Sequence, residues 1–214
     1  MSLLELLVPS VCPACDRARR PGELLLCPEC ALGLRSLRQL GKTATAVAYA
    51  GTGRRLLRRF KFAGRRDALA VLLEPLVERV RLLAADGVVA VPRHRRRVRE
   101  QGSDPVWTLA RALSRRTGLE LCRALGRSRP TPPQAGLSLE ARRRNVTGSF
   151  RVRRSLAGRR VLLLDDVTTT GTTLREAARA LRLGARPEAV IPVALAATPH
   201  AEDGALETEP ESAL

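Results

Sequence analysis

Asp165 and Asp166 stand side by side, and the six residues Thr168–Thr173 comprise five threonines and one glycine. Two adjacent carboxylates can hold a diol or a divalent cation. A threonine loop around Gly171 offers hydroxyls and backbone N–H groups to one small anion. Together they suit a ligand that carries a phosphate at one end and a hydroxyl or metal-rich face at the other. The flanking residues supply the elements that position them. Val161–Leu164 is apolar on both faces and predicts a buried parallel strand, with the two acids where that strand should emerge. Leu174–Leu183 reads as a helix closed by Gly184. The loop therefore lies over a helix N-terminus, where unpaired N–H groups and the positive dipole end attract phosphate. An ordinary strand-to-helix turn with a threonine-rich cap would share part of this pattern, but not the acids, loop and helix in this order.

A second group with chemistry stands near the N-terminus. Cys12-Pro-Ala-Cys15 and Cys27-Pro-Glu-Cys30 are two CxxC pairs separated by eleven residues. Each CxxC turn can place two thiolates on one metal, and two turns make a tetrahedral four-cysteine site. The intervening loop is shorter than the common zinc-ribbon spacing, yet long enough for a hairpin. A redox role would need a thioredoxin-like context, which is absent, and disulfides are rare inside cells. The pattern points to structural zinc at Cys12, Cys15, Cys27 and Cys30, with no open position for catalysis. Cys122 stands alone after Leu119-Glu-Leu and reads as a small buried hydrophobe in a short strand.

A chain of 214 residues, 44% hydrophobic but only 2% aromatic, suits one substantial domain with an appendage and a core of Leu, Val and Ala. Net charge is +17, nearly all of it from arginine. Such a balance favours anionic partners: phosphorylated metabolites, nucleic acid or acidic lipid. Glu202, Asp203, Glu207, Glu209 and Glu211 crowd the last segment, which has no apolar periodicity and is expected to be a disordered acidic tail. Leu3–Val8 is apolar but far too short to span a bilayer, and no basic region precedes it. A cytoplasmic protein is expected.

In the middle of the chain, Thr45–Ala50 reads as a strand, Arg54–Phe62 as a basic amphipathic segment, and Asp67–Leu83 as a core helix made irregular by Pro75. Val88–Val91 predicts a second buried strand, stopped by Pro92. Arg93-His94-Arg95-Arg96-Arg97-Val98-Arg99 follows directly, ahead of a helix near Trp107–Arg116. A charge run is often a solvated face. This one leaves an apolar strand, and ligands of open parallel sheets bind outside the carboxyl ends of strands. It should then share a rim with Asp165 and Asp166, where arginine forks suit pyrophosphate. His94 could contact the same anion or simply line the rim. Gly126–Gly148 is rich in Arg, Pro and Gly, and its prolines argue against a continuous helix or central strand. Ser149–Val152 and Ala189–Ala194 complete the expected strands. Hydrolase chemistry fits poorly: there are only two histidines and no serine in a nucleophile-elbow pattern.

The stretch Val161–Leu174 resembles the phosphoribosyl-pyrophosphate (PRPP) signature of type I phosphoribosyltransferases. Thr168 departs mildly, standing where that family more often has an aliphatic or aromatic residue. The likeness extends along the chain, from Cys12 to about Ala197. It takes in the two Cys pairs, a tyrosine-containing strand, Lys61-Phe62 with Gly64, Val91-Pro92 with His94, and the arginine run. Thr131, Gln134, Leu137, Arg142, Asn145 and Phe150 then follow in the spacing of the ComF family, which the chain resembles as a whole. One stretch departs. Where that family continues its arginine run as Arg-Gly-(Phe/Tyr)-Asn-Gln, this chain has Gln101-Gly102-Ser103-Asp104-Pro105, in which Gly102 matches and Asp104 can at best replace Asn.

The resemblance implies an α/β chain with the type I phosphoribosyltransferase fold: a central, mostly parallel sheet flanked by helices, with a small N-terminal four-cysteine zinc ribbon. The expected division is residues 1–42 for the zinc module, 43–199 for the phosphoribosyltransferase-like domain and 200–214 for the tail. It also implies Mg²⁺-dependent phosphoribosyl transfer from PRPP to an unidentified acceptor. Asp165 and Asp166 would hold the ribose diol as the catalytic pair, and Thr168, Thr169, Thr170, Gly171, Thr172 and Thr173 the 5′-phosphate. Arg93, His94, Arg95, Arg96, Arg97 and Arg99 would face the pyrophosphate. A flexible hood would bring Gln134, Arg142 and Asn145, with Asp104, to the acceptor side. The rival reading is a protein that binds PRPP or ribose phosphate without transfer, or that handles single-stranded DNA during DNA uptake in natural competence. Basic charge favours the DNA reading; scarcity of aromatic rings for base stacking opposes it.

Overall fold

Val161, Leu162, Leu163 and Leu164 are completely buried, and the strand that carries them is the axis of the molecule. The computed structural model describes residues 11–19, 25–37, 39–128 and 148–199. In chain order its elements are α1 (Pro28–Leu32), β1 (Gln39–Leu40), β2 (Thr43–Ala48), α2 (Gly51–Ala63), α3 (Arg66–Arg81), β3 (Gly87–Ala90), α4 (Arg95–Gln101) and α5 (Pro105–Thr117). Then come β4 (Glu120–Leu121), β5 (Leu125–Arg127), β6 (Phe150–Val152), β7 (Arg160–Thr168), α6 (Thr172–Gly184) and β8 (Ala189–Ala197).

Six strands form one sheet in the order β1-β2-β8-β7-β3-β4. Only the β1–β2 pair is antiparallel; the rest are parallel. β7 is central, with Ala90 opposite Leu164 on one side and Val193 opposite Leu164 on the other. Because side chains alternate across a strand, β7 feeds two cores. Leu162 and Leu164 pack with Leu72 and Leu76 of α3 and Leu109 and Leu113 of α5. Val161 and Leu163 pack with Leu174, Ala177 and Leu181 of α6. With so few aromatics, the buried leucines carry the stability, each contributing about 1.5–3 kcal/mol.

The fold class is the expected one, with shifts in its elements. β7 runs on to Thr168 and α6 begins at Thr172, so the threonine loop is shorter than the sequence pattern implied. Within the arginine run, Arg95–Gln101 is helical, capped by His94. Phe150–Val152 does not join the main sheet but pairs antiparallel with Leu125–Arg127 in a separate two-stranded sheet. Helix α3 continues through Pro75 as one element, although the proline ring removes a backbone donor there. Cys122 is buried, one residue beyond β4, with its N–H on the Val88 carbonyl. The acidic tail and the segment holding Gln134, Arg142 and Asn145 lie outside the described residues. No helix among the described residues is long and apolar enough to cross a membrane.

Candidate functional site

The connection after β3 runs through α4 and α5 to β4 on one side of the sheet, whereas that after β7 runs through α6 to β8 on the other. The carboxyl ends of β3 and β7 therefore flank the point where the strand order reverses, the place where a crevice opens in such sheets. Arg93 leaves the end of β3 and Asp165 and Asp166 lie near the end of β7. The expected shared rim exists.

Asp166 is the meeting point. Its Oδ2 lies 2.7 Å from Lys61 Nζ and 3.2 Å from Arg93 Nη2. Its side chain is 8% exposed and that of Lys61 13% exposed, so both charges are largely withdrawn from water. The Asp166 N–H donates to Asp165 Oδ1 at 2.8 Å. Burial first, and the adjacent Asp166 carboxylate second, push the Asp165 carboxyl up to about 7, against the pull of Lys61 and Arg93. Asp165 thus keeps its proton to a higher pH than an ordinary carboxyl.

The turn Thr169–Gly171 leads directly into the start of α6. Gly171 caps the helix at φ +67°, a left-handed conformation that side chains with a Cβ adopt at a cost. Thr170 and Thr172 share a hydroxyl–hydroxyl bond of 2.9 Å, and Arg175 Nη2 donates to Thr172 Oγ1 at 3.1 Å. No acid stands in the first turn of α6. A cation there opposes the helix dipole, and a bound anion would reconcile the two. Thr168 is buried at the end of β7, its carbonyl accepting from Thr198 N–H at 3.0 Å, which anchors the loop to the sheet.

The arginine run divides. Arg93 turns inward to Asp166. Arg95, Arg96 and Arg99 are exposed on α4, and Arg96 pairs with Glu100 at 2.8 Å. His94 Nδ1 accepts from the Arg96 N–H at 3.2 Å, so this ring caps α4. The Arg97 side chain lies outside the described set. Asp104 caps α5, accepting from Val106 N–H at 3.1 Å and Trp107 N–H at 3.2 Å. Burial raises its carboxyl, and both Arg93 and Asp166 act on it electrostatically, so it sits beside the same crevice.

Two residues of this site escaped sequence reasoning as site residues. Lys61 was visible only as part of a short Lys-Phe-x-Gly pattern. A sharper signal was available: it is one of two lysines among 38 Lys and Arg residues. Arg175 was hidden in the helix pattern; its position in a first turn just after a threonine loop was the cue.

The four cysteines come together as the spacing requires. Their sulfurs lie within 4.8 Å of one another, and Cys15 Sγ and Cys27 Sγ are 3.7 Å apart. A tetrahedral zinc with bonds of about 2.3 Å places sulfurs about 3.8 Å apart, so the cluster fits that ion. Burial would raise the Cys12 thiol, but backbone hydrogen bonds from Cys27, Ala14 and Cys15 overcome it and hold it at about 6. Arg55 Nη2 donates to Cys30 Sγ at 3.6 Å from helix α2, an outer contact to the cluster.

Residues 107–207 match the phosphoribosyl transferase domain family. The chain is 31% identical over 190 residues to DNA utilization protein YhgH of Escherichia coli (strain K12), covering 80% of this chain and 83% of that one. It is 33% identical over 138 residues to Competence protein F of Haemophilus influenzae, covering 59% and 60% respectively. Among solved structures, the purine phosphoribosyltransferase from Pyrococcus horikoshii Ot3 aligns over 62% of this chain and 74% of its own, at 19% identity and a TM-score of 0.41. The family match, the relative 31% identical over most of both chains and the four-cysteine cluster show that the chain belongs to the ComF family of phosphoribosyltransferase-domain proteins.

Proposed function

We propose that the protein binds PRPP with Mg²⁺ and transfers its phosphoribosyl group to an acceptor in the cytoplasm. The observation that carries this reading is the placing of Asp165 and Asp166 directly ahead of the Thr169–Gly171 turn, where β7 meets the N-terminus of α6. The 5′-phosphate sits on the turn, against the first N–H groups of α6 and the Thr170 and Thr172 hydroxyls. The ribose 2′- and 3′-hydroxyls face the two acids. Arg93 and Lys61 offset the negative charge that gathers between ribose and pyrophosphate. Mg²⁺ held with PRPP beside Asp165 and Asp166 would supply further positive charge to offset the leaving pyrophosphate. In the transfer, the bond from ribose C1 to pyrophosphate oxygen breaks, its electron pair leaving with pyrophosphate, while the acceptor's lone pair forms the new bond to C1. No protein nucleophile is needed; the protein holds the reacting groups in place. The four-cysteine module, residues 1–42 in this reading, carries a structural zinc.

A second reading is binding of PRPP or ribose phosphate without transfer, in a protein that handles single-stranded DNA. The observation that favours it is Asp104. It stands where the family has an Asn, and its Oδ1 is taken up in capping α5. Relatives named for DNA utilization and competence, together with a net charge of +17, agree with a DNA partner.

Calorimetry tests both. Mg²⁺-dependent PRPP binding is expected in the intact protein and should vanish in Asp165→Asn/Asp166→Asn; no binding in the intact protein would sink the proposal. Pyrophosphate release in a screen of bases and amines separates transfer from binding alone. Loss of DNA affinity with rising salt, unchanged by the acid variants, would mark a separate basic surface.

A further inference from the structure

We infer that helix α2 is a strut through which the four-cysteine module holds Lys61 on Asp166, so that metal at the cysteines sets the strength of the ribose-phosphate site. The inference rests on the PRPP reading for its ligand, but its geometry stands apart from it.

Helix α2 touches both sites. On a helical wheel its apolar stripe, Leu56, Leu57 and Phe60, has Arg55 and Arg59 on one flank and Lys61 on the other. The stripe lies in the core cluster that also holds Cys12, Cys27 and Cys30 of the module and Leu162 and Leu164 of β7. The arginine flank grips the module. Arg55 Nη2 donates to Cys30 Sγ at 3.6 Å, and Arg59 Nη1 to Asp16 Oδ1, which directly follows Cys15. Arg65, just past the end of α2, donates to the same Asp16 oxygen at 3.0 Å. Packing is close as well: a Cβ at Gly33, after α1, would stand 2.8 Å from Thr52 Oγ1 in the first turn of α2. From the other flank, Lys61 places its Nζ 2.7 Å from Asp166 Oδ2.

The energetic link follows from the cysteines. A divalent ion bound by all four sulfurs, which lie within 4.8 Å of one another, ties the two CxxC turns together, so the module is ordered when it is loaded. Loosened, it would release Asp16 and Cys30 from the arginine flank and expose one face of the α2 stripe. Lys61 would then lose its fixed approach to Asp166. Lys61 is in this sense a positioning residue, and the module is part of the ligand site rather than an attachment to it.

The chain contains only two lysines, and Lys42, in the β1–β2 turn, is exposed. Acylation of lysine amines, read by mass spectrometry, therefore reports Lys61 with an internal reference. The full chain is labelled zinc-loaded, after chelation, and as a zinc-loaded Arg55→Gln/Arg59→Gln variant. In the loaded wild type Lys61 should react about ten-fold more slowly than Lys42, as a buried ion-paired amine should. Chelation and the double variant should each raise the Lys61 rate several-fold and leave Lys42 unchanged, with far-UV circular dichroism retained. PRPP affinity should fall by about ten-fold in both, the effect of loosening one charged contact. If chelation unfolds the chain, the double variant decides, since it keeps all four cysteines. An unchanged Lys61 rate in that variant, or PRPP affinity equal to wild type, overturns the inference. Should the loaded wild type bind no PRPP, the proposed function fails while the labelling still decides the strut.

Discussion

Lys61 Nζ and Asp166 Oδ2 lie 2.7 Å apart, joining helix α2 to the carboxyl end of β7 at the crevice where the strand order reverses. Arg93 approaches the same oxygen at 3.2 Å, so one carboxylate answers two cations.

That asymmetry makes the two members of the pair unequal under mutation. Lys61→Met leaves Asp166 with Arg93, whereas Asp166→Asn leaves two partly buried cations facing a neutral amide. A buried polar group deprived of its partner costs about 1–3 kcal/mol, more when charged. Asp166→Asn should therefore lower the urea midpoint more than Lys61→Met does. Both should weaken PRPP by about ten-fold or more, the loss of one charge-assisted contact. Urea unfolding beside calorimetry checks the order; a Lys61→Met protein less stable than Asp166→Asn would contradict it.

The raised Asp165 carboxyl gives a pH dependence with a definite sign. In the folded chain it holds its proton up to about 7, well above its unfolded value, because of burial and the Asp166 charge. The folded state then binds more protons than the unfolded one across that interval. This contribution to stability is complete below about pH 4 and is lost as pH rises through about 7. Lys61, Arg93 and Asp104 also act on this pair and tune the midpoint. Ligand binding should run the other way, because diol and Mg²⁺ favour the charged form: PRPP affinity should rise between about pH 6 and pH 8. In Lys61→Met the rise should move to higher pH, since Lys61 is one of the charges pulling Asp165 down. Calorimetry across this range checks it; a flat profile in the wild type would refute the assignment to Asp165.

Much of this was legible because local rules and the fold agree. Val161–Leu164 has no polar face, so only a central strand can bury it; the following acids and threonines then had to lie at the sheet rim. Two CxxC turns can meet on one ion whatever surrounds them. What could not be read were relations across the chain. The Lys61–Asp166 contact depends on how α2 packs against the module and β7, and no spacing in the sequence encodes that angle. The helical form of the arginine run has a local cause: His94 offers a capping nitrogen and Gly102 a left-handed stop at φ +67°, so Arg95–Gln101 coils into a helix that turns Arg96 to Glu100. The second sheet was missed because Phe150–Val152 finds its partner in Leu125–Arg127 rather than in the core.

The turn before α6 gives a prediction that separates backbone conformation from space. A Cβ on Gly171 would meet nothing closer than Thr168 Oγ1 at 4.0 Å, so Gly171→Ala should not clash. Its cost is the left-handed φ, about 1–2 kcal/mol for a residue with a Cβ. Relief of that strain by moving the turn would misdirect the first N–H groups of α6. Gly171→Ala should therefore weaken ribose 5-phosphate, and Gly171→Asn should weaken it less, since asparagine tolerates this conformation better. Titration of ribose 5-phosphate against the three proteins provides the check, and equal losses in the two variants would count against the conformational argument.

Asp104 offers the sharpest test of whether a capping residue is also an acceptor-side residue. As an N-cap its loss to alanine should cost about 1 kcal/mol, while Asp104→Asn and Asp104→Ser keep the cap and most of the stability. Asparagine also removes a negative charge that faces Arg93 and Asp166, and restores the residue type usual in the family. If the carboxylate acts only as a cap, Asp104→Asn and Asp104→Ser should match the wild type in pyrophosphate release. If the acceptor contacts this side chain, Asp104→Asn should release pyrophosphate faster than wild type and Asp104→Ser more slowly, with PRPP affinity little changed in both. We expect the second outcome, because Asp104 is half-buried beside the crevice and within electrostatic reach of Arg93 and Asp166. Measuring stability, PRPP affinity and pyrophosphate release on the same three variants keeps the two roles apart, and identical release from all of them would confine Asp104 to holding α5.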